Sequence, residues 1–432
     1  MFDLRPLRSA GFRHLATAYW VNEFGNWIGE IALTILVYDR THSPLGSAAL
    51  FTVLRCVPAS LAPLVATRVE SMPVRWVLTT TYVLEAGLFT AIAVLTRHFT
   101  LSVVLAMAAL DGCLAVTARA LTRSATASSL IRDGLLREGN GIMNLGMIVA
   151  TAASPAIAGV LIASRGPEWA LLLDAGTFLA TALIIASARG IKIDSDRDSG
   201  FLGRLRNGMS VLRTNDEVRS LMVGIALVIL IGGVPIPIEV VFVRQTLHAG
   251  DSAYGLLLSS WGLGMVLGAA AFAVLRRVSL TQLIAFGTVV AALGYGALAL
   301  SPTLAVACAA SALGGLGNGG AWIAAVTAVQ ERIPLSSQSA IMALLETLGQ
   351  VMPALGFVTG GLITAYTSPR AAYGIASLGV LFVVAVIALR SSDRKPHLNP
   401  EDMLLPAMES SPNAGESGTS GPSVATPTTL SR

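Results

Sequence analysis

Four polar side chains sit inside the first long apolar stretch of this sequence: Asn22, Glu23, Asn26 and Glu30, with Trp27 among them. At 100° per residue, Glu23, Asn26 and Glu30 share one helical face and Asn22 lies beside it. An ionised side chain at the centre of a bilayer costs roughly 2.5 to 3.5 kcal/mol, so such a face is expected to look into a helix bundle or a wet cavity. Counting along the apolar stretches places Arg55, Glu85 and Asp111 at a similar depth. A guanidinium at that depth requires a carboxylate partner, and Glu30 and Glu23 are the expected partners of Arg55 ahead of Glu85. Carboxylates so placed can take up and release protons, so Glu23, Glu30 and Asp111, with Arg55 as counter-charge, are the candidates for proton coupling. A static ion-pair network is the structural alternative, and it is the favoured one for Glu85.

These residues need membrane helices to hold them. Apolar residues make up 54% of the 432 and charged residues 12%, about half the charged share of an ordinary soluble protein. Windows of about 20 residues, the length that spans the hydrocarbon core, fall near 14–38, 46–66, 75–96, 99–121, 139–163 and 168–188, and again near 220–243, 253–275, 281–300, 303–329, 338–366 and 369–389. The expected fold is therefore an all-α polytopic membrane protein with twelve transmembrane helices in two pseudo-symmetric halves. The expected divisions are a first half over 1–190, a cytoplasmic linker over 191–218, a second half over 219–390 and a disordered tail over 391–432, whose Ser, Thr, Pro and Gly content cannot bury a core. Arg5, Arg8 and Arg13 precede a stretch too long for a signal peptide, which reads as a retained first span.

The charges give an orientation. Of the 29 basic residues, Arg40, Arg97, Arg165, Arg244 and Arg370 fall in odd-numbered connections and Arg55 within a span; the others lie at the termini or in even-numbered connections. That bias predicts cytoplasmic termini in an inner or plasma membrane. The basic residues are spread along connections and form no nucleic-acid patch. Cys56, Cys113 and Cys308 lie in apolar segments without ligand spacing and are expected to be buried packing residues, so no metal is expected.

An internal repeat supports two halves. Ala109–Gly112 and Asn144–Gly146 recur as Ala312–Gly315 and Thr347–Gly349 at one constant offset, the layout of a transporter whose site lies between parallel repeats. The substrate cavity is expected to draw on Asn22, Asn26 and Trp27, and on Trp261, Asn318, Trp322 and Glu346 from the second half. Glycines between Gly314 and Gly320 lie inside a span and lack the Lys-Ser/Thr sequel of a phosphate loop, so they read as close helix packing. No nucleotide loop, His-Glu-x-x-His or Gly-x-Ser-x-Gly is present, which argues against direct ATP drive and against a hydrolase. Asp174 and Glu239 are expected toward the outer membrane face, and Arg119 and Arg123 as topology determinants.

Several stretches in order resemble the major facilitator superfamily, and within it the drug-efflux branch of macrolide and siderophore exporters: Phe12-Arg13, Gly25-Asn26-Trp27, Leu36-Val37-Tyr38 to Ser43-Pro44, Asp133 to Asn144, Ser154 to Gly159, and Tyr254 to Leu257. The resemblance covers roughly residues 5 to 390. It implies a twelve-span exporter of a small amphiphilic compound, working by proton antiport with alternating access, without a cofactor and as a monomer. It also implies that spans one and four line the cavity, that Glu70 and Arg75 form a cytoplasmic gate, and that Pro155 with Gly159 is the bend-and-packing signature of the fifth span, echoed by Pro353 and Gly360. Two departures stand out. The loop from Ala66 to Arg75 keeps one acid, one proline and one arginine of the usual latch, and Asn26 stands where the branch usually has an acid. A nutrient symporter, a lipid flippase or a non-transporting sensor of the same fold are the alternatives.

Overall fold

The computed structural model describes residues 4–69, 72–188, 201–275, 277–333 and 335–392, and these residues are helical almost throughout. Hydrocarbon offers no hydrogen-bonding partner, so a chain of this composition satisfies its backbone within helices. The first six are α1 (Ala10–Thr41), α2 (Pro44–Val69), α3 (Val74–Leu95), α4 (Leu101–Leu130), α5 (Leu136–Arg165) and α6 (Pro167–Ser187). After α7 (Phe201–Thr214) come α8 (Asp216–Gly233), the single turn α9 (Glu239–Val241), α10 (Asp251–Val274), α11 (Leu280–Leu300), α12 (Leu304–Glu331), α13 (Leu335–Tyr366) and α14 (Pro369–Ser392). Residues 388–432 form a unit of their own, of which only the last helical stretch falls within the described residues.

Among the described residues, ten helices are long and apolar enough to cross a membrane, counting Val218–Thr246 as one broken span. The polar side chains of α1 dilute its apolarity, and only Pro44–Pro58 of α2 is fully described. With these two, the long antiparallel helices number twelve, at the expected places. Starts and stops follow local chemistry. Ser9, Asn215, Ser279 and Thr303 cap α1, α8, α11 and α12 by accepting a backbone N–H. Pro44, Pro167 and Pro369 open helices where the missing N–H costs nothing. The turn from α5 to α6 is the single residue Gly166, at φ +93°.

Two features are not visible in the apolar windows, and one expectation is corrected. The linker contains α7, a polar-and-apolar helix that packs against α13. The seventh span is not continuous: Pro235 and Pro237 remove N–H donors and clash with carbonyls a turn earlier, so α8 stops at Gly233, and the chain resumes as α9 and a π-turn over Phe242–Thr246. Cys56, Cys113 and Cys308 are only half-buried, not the buried residues expected, because their helices leave that side incompletely covered. The tail and Glu70 lie outside the described residues.

The face where α1 begins is called proximal and the opposite face distal. Within the first six helices, α1 packs on α5 and α6, α3 on α6, and α2 on α4. The first six meet the later helices along α5 with α10 and along α2 with α13. Both crossings bring backbones into contact. A Cβ on Gly255 would lie 3.0 Å from Gly159 Cα and closer still to the Pro155 carbonyl. On α2 and α13 the contact runs from Ala48 against Gly361 to Phe51 against Phe357, rings 5.6 Å apart. Pro353 and Gly360 pack instead on α8, against Gly233 and Val234. Small residues thus let helices approach where no hydrophobic effect drives them together.

Gly255→Ala is expected to destabilise the protein by about 1–3 kcal/mol, because the obstructing atoms are backbone. Gly87→Ala, where a Cβ meets nothing within 4 Å, should leave thermal unfolding in detergent unchanged or slightly raised. Equal melting temperatures for the two variants would contradict the close crossing.

Candidate functional site

The polar face of α1 is divided among three neighbourhoods. At the distal end of that face, Glu30 Oε2 lies 3.8 Å from Arg55 Nη2, and both side chains are 32% exposed. Glu30, not Glu85, is therefore the partner of Arg55. One turn on, the Thr34 hydroxyl donates to the Glu30 carbonyl, and Tyr254 of α10 hydrogen-bonds with Thr34. The pair is thus next to the junction between α1 and the later helices.

Glu23, two turns nearer the proximal face, is in a different setting. It is half-buried, hydrogen-bonded with Tyr19 on its own helix, and close to the guanidinium groups of Arg119 and Arg123. Arg119 also acts on Asp111, Glu85 and Tyr82, so it faces the interior charges instead of serving only as a topology determinant. Asn22 is buried with its side-chain oxygen unpartnered among the described residues, while Asn26 and Trp27 are half-buried.

The third neighbourhood runs against expectation. Asp174 of α6 is fully buried against α1, in a notch made by Gly25 and Gly29. A Cβ at either position would collide with its carboxylate, and one at Gly29 would also come within 2.6 Å of the Phe89 ring. Thr177 donates to Asp174 Oδ1 at 3.0 Å, whereas Oδ2 has no partner among the described residues. Glu85, one turn before Phe89 on α3, is 1% exposed, and neither carboxylate oxygen has a partner among them. Asp111 of α4, 9% exposed, has one oxygen in the same state. The charges of Asp111 and Asp174 both reach Glu85. Asp111, a candidate for facing the cavity, is enclosed; Asp174, expected toward the outer membrane face, lies two turns into α6 from its distal end and is buried in the packing of α1, α3 and α6. The signal for the notch was present in the sequence as Gly25-x-x-x-Gly29, the spacing that admits a close neighbour.

Two ion-pair groups join the early and late helices at opposite faces. On the distal face, Arg244 of the π-turn reaches Asp39 of α1 at 3.3 Å and Asp251 of α10 more closely. On the proximal face Arg123 of α4 pairs with Glu346 of α13, with both side chains largely exposed. The backbone crossings described above lie in the distal half of the helices. Arg75 stays within the first six helices, donating to the Ala188 carbonyl at 3.3 Å and lying over Trp76. Its expected partner Glu70 is not described.

The remaining cavity candidates are dispersed. Trp261 of α10 is half-buried and stacks on Tyr295 of α11, 5.5 Å between ring centroids. Asn318 of α12 is half-buried, and Trp322 is 42% exposed with no ring partner among the described residues. Glu239, expected toward the outer membrane face, is half-buried at the helix break, within electrostatic reach of Tyr254, Tyr295 and Tyr373 in the distal parts of α10, α11 and α14. Among the described residues no cluster of His, Cys, Asp and Glu side chains could hold a metal ion.

Cysteines replacing Phe51 and Phe357, whose rings lie 5.6 Å apart across the same crossing, are expected to be joined by a short bifunctional thiol reagent. Adding Arg244→Ala should slow that cross-linking severalfold by leaving Asp39 and Asp251 facing one another unneutralised. Unchanged cross-linking kinetics would mean that Arg244 does not hold the distal face.

Residues 2–344 match the family described as transmembrane secretion effectors. No curated protein sequence matches the chain. Among solved structures, a mutant of the nucleoside transporter NupG superposes with a TM-score of 0.74 at 11% identity, covering 88% of this chain and 99% of that one. A bacterial homologue of the iron transporter ferroportin, in an inward-facing state, gives 0.69 at 16% identity over 90% and 100%. A POT family transporter bound to 5-aminolevulinic acid gives 0.71 at 12% over 89% and 96%. These likenesses establish the fold, and with the family match over most of the sequence they place this chain among the transmembrane secretion effectors of the major facilitator superfamily, as a membrane transporter.

Proposed function

We propose that this protein exports a small amphiphilic compound across the cell membrane by proton antiport. The observation that carries the reading is the set of buried carboxylates Glu85, Asp111 and Asp174, none of them hydrogen-bonded to a basic side chain among the described residues. An ionised carboxylate so enclosed is costly, and binding a proton removes the cost. Glu30 and Arg55, partly open and beside the inter-helix junction, are suited to sense the cavity, and Arg119 links Glu23 electrostatically to the enclosed acids. Proton binding would thereby change the charge of the wall against which α1 moves. The distribution of arginines favours the cytoplasm at the proximal face. The family's description as secretion effectors favours export over import.

Alternating access would then release the two ion-pair groups in turn, both of which are formed in this structure: Arg244 with Asp39 and Asp251 at the outer face, and Arg123 with Glu346 at the inner one. No nucleotide or other cofactor enters this cycle; the proton gradient supplies the work.

In everted vesicles energised by respiration, ethidium accumulation is the measurement. The intact protein should accumulate ethidium only while the pH gradient stands. Glu85→Gln and Asp174→Asn are expected to reduce gradient-driven accumulation to that of empty vesicles while preserving passive exchange across the membrane. Full gradient-driven accumulation in both variants would rule out the enclosed acids as proton carriers.

A further inference from the structure

Three of the five arginines in odd-numbered connections stand at one distal corner of the molecule. Arg97 lies in the turn Thr96–His98 after α3, Arg165 ends α5, and Arg40, in the last turn of α1, donates to the Thr96 carbonyl at 2.8 Å. All three are exposed. The other two are engaged elsewhere, Arg244 by Asp39 and Asp251 and Arg370 by the Ser301 carbonyl at 2.9 Å. Arg97 and Arg165 have no carboxylate within ion-pairing distance among the described residues. Glu168, the acid nearest Arg165 in sequence, folds back on Gly166, where a Cβ would lie 2.8 Å from its carboxylate. Basic residues on this face run against the charge bias of the rest of the chain, so a cluster of them calls for a counter-charge from outside the protein.

Below this corner a groove of about 640 Å³ runs along α3 and α6 on their uncovered side. Small residues, Gly87, Thr90 and Ala91, make its floor, and Val83, Val94 and Leu179, each 48% exposed or more, make its rims. A Cβ on Gly87 meets nothing within 4 Å, and the Thr90 hydroxyl donates to the Ala86 carbonyl, which leaves the floor apolar. At the helical rise, Val83 to Leu95 spans about 18 Å, and the hydrocarbon of one leaflet is roughly 15 Å deep. The groove has the length of one acyl chain.

The cations stand at its distal mouth. Positions 83, 87, 90 and 94 share one face of α3, and Arg97 continues that face. The Phe89 and Phe178 rings lie 5.3 Å apart between antiparallel helices, so eight residues on from Phe89 and eight back from Phe178 bring Arg97 level with Ala170, next to Trp169. Trp169 is 50% exposed, and the Arg165 guanidinium lies over its ring at 5.7 Å, a pairing suited to the depth of lipid headgroups.

We infer that this groove binds an anionic phospholipid of the distal leaflet, with an acyl chain along α3 and the phosphate held by Arg97 and Arg165. The small floor takes the chain, and the charge at the mouth selects the headgroup; a zwitterionic lipid brings its own cation to that mouth and gains less. A second copy of this chain is the poorer occupant, because a symmetric pair would bring the same arginines together. The site is independent of the export reading, since it requires only that the protein lies in a bilayer.

Photolabelling of the full-length protein in phosphatidylcholine vesicles tests this. Trace phosphatidylglycerol or phosphatidylcholine carrying a diazirine on the acyl chain is photolysed, and the labelled peptides are mapped. Over residues 83–95 phosphatidylglycerol should label severalfold more than phosphatidylcholine. Over residues 375–382 of α14, where Ile375, Leu378 and Phe382 are exposed, the two probes should label equally. Arg97→Gln combined with Arg165→Gln should abolish the preference at 83–95 and leave α14 labelling unchanged, which also certifies insertion of the variant. Gly87→Leu should lower labelling at 83–95 by both probes. Equal labelling of 83–95 in the intact protein, or a preference that survives in the double variant, overturns the site. Absence of label over 83–95 together with chain-to-chain cross-links there would give the groove to a second copy, and overturns it equally.

Discussion

A carboxylate left ionised against lipid would be prohibitively unfavourable, and the seat of Asp174 governs how the first helices fit together. The side chain occupies space that Gly25 and Gly29 leave open on α1, so α1 and α6 lie nearer than any side chain at those two positions would permit. Phe89 closes the same notch from α3, and Glu85 follows one turn away. Three helices thus share one enclosed acidic region, and their spacing is set by a charge that needs hiding. The packing around it is aromatic and small: Phe178 lies 5.3 Å from Phe89 and is itself buried. Any change of protonation there is felt by α1 directly, because nothing but glycine separates the carboxylate from its backbone.

The surface charges obey a different logic. Arg244 and Arg123 each cross between early and late helices, at opposite ends of the molecule. Arg244 is partly shielded and holds two carboxylates, whereas the Arg123 pair is largely exposed. Exposed pairs contribute about 0 to 1 kcal/mol and are weakened by salt, while shielded ones resist screening. The distal contact is therefore the firmer of the two, in keeping with the backbone crossings that accompany it, and the proximal contact is one that a small free energy can make or break.

How much of this could be read from the chain depends on the range of the interaction. Helix positions were legible because twenty apolar residues and a proline or glycine turn are local signals, and the pairing of Arg55 was legible because only a few acids share its depth. The seventh span misleads because hydropathy averages over Pro235 and Pro237; the average is apolar although the helix is broken. Asp174 shows a related limit, since its depth is legible but its surroundings are not. Depth along the membrane follows from counting residues, but whether a side chain at that depth meets lipid, water or a glycine notch depends on which helix lies opposite. Arg119 and Arg123 look like topology signals because the apolar window closes near Leu121, whereas α4 continues to Leu130 and holds both on its later turns, turned toward Glu23 and Glu346.

The two repeats solve the same problem in opposite ways. In the first, α1 runs unbroken, and its neighbours α3 and α6 supply carboxylates that are enclosed around it. In the second, the corresponding span is broken, and its neighbours α11 and α14 supply the phenols Tyr295 and Tyr373 around a carboxylate on the broken span itself. An enclosed acid without a counter-charge is resolved most cheaply by the smallest cation, a proton, since no larger ligand fits a notch lined by Gly25, Gly29 and Phe89. On this argument the first half sets two kinds of acid side by side: Glu85, Asp111 and Asp174, enclosed and open to neutralisation by a proton, and Glu30, which has Arg55 as its counter-charge.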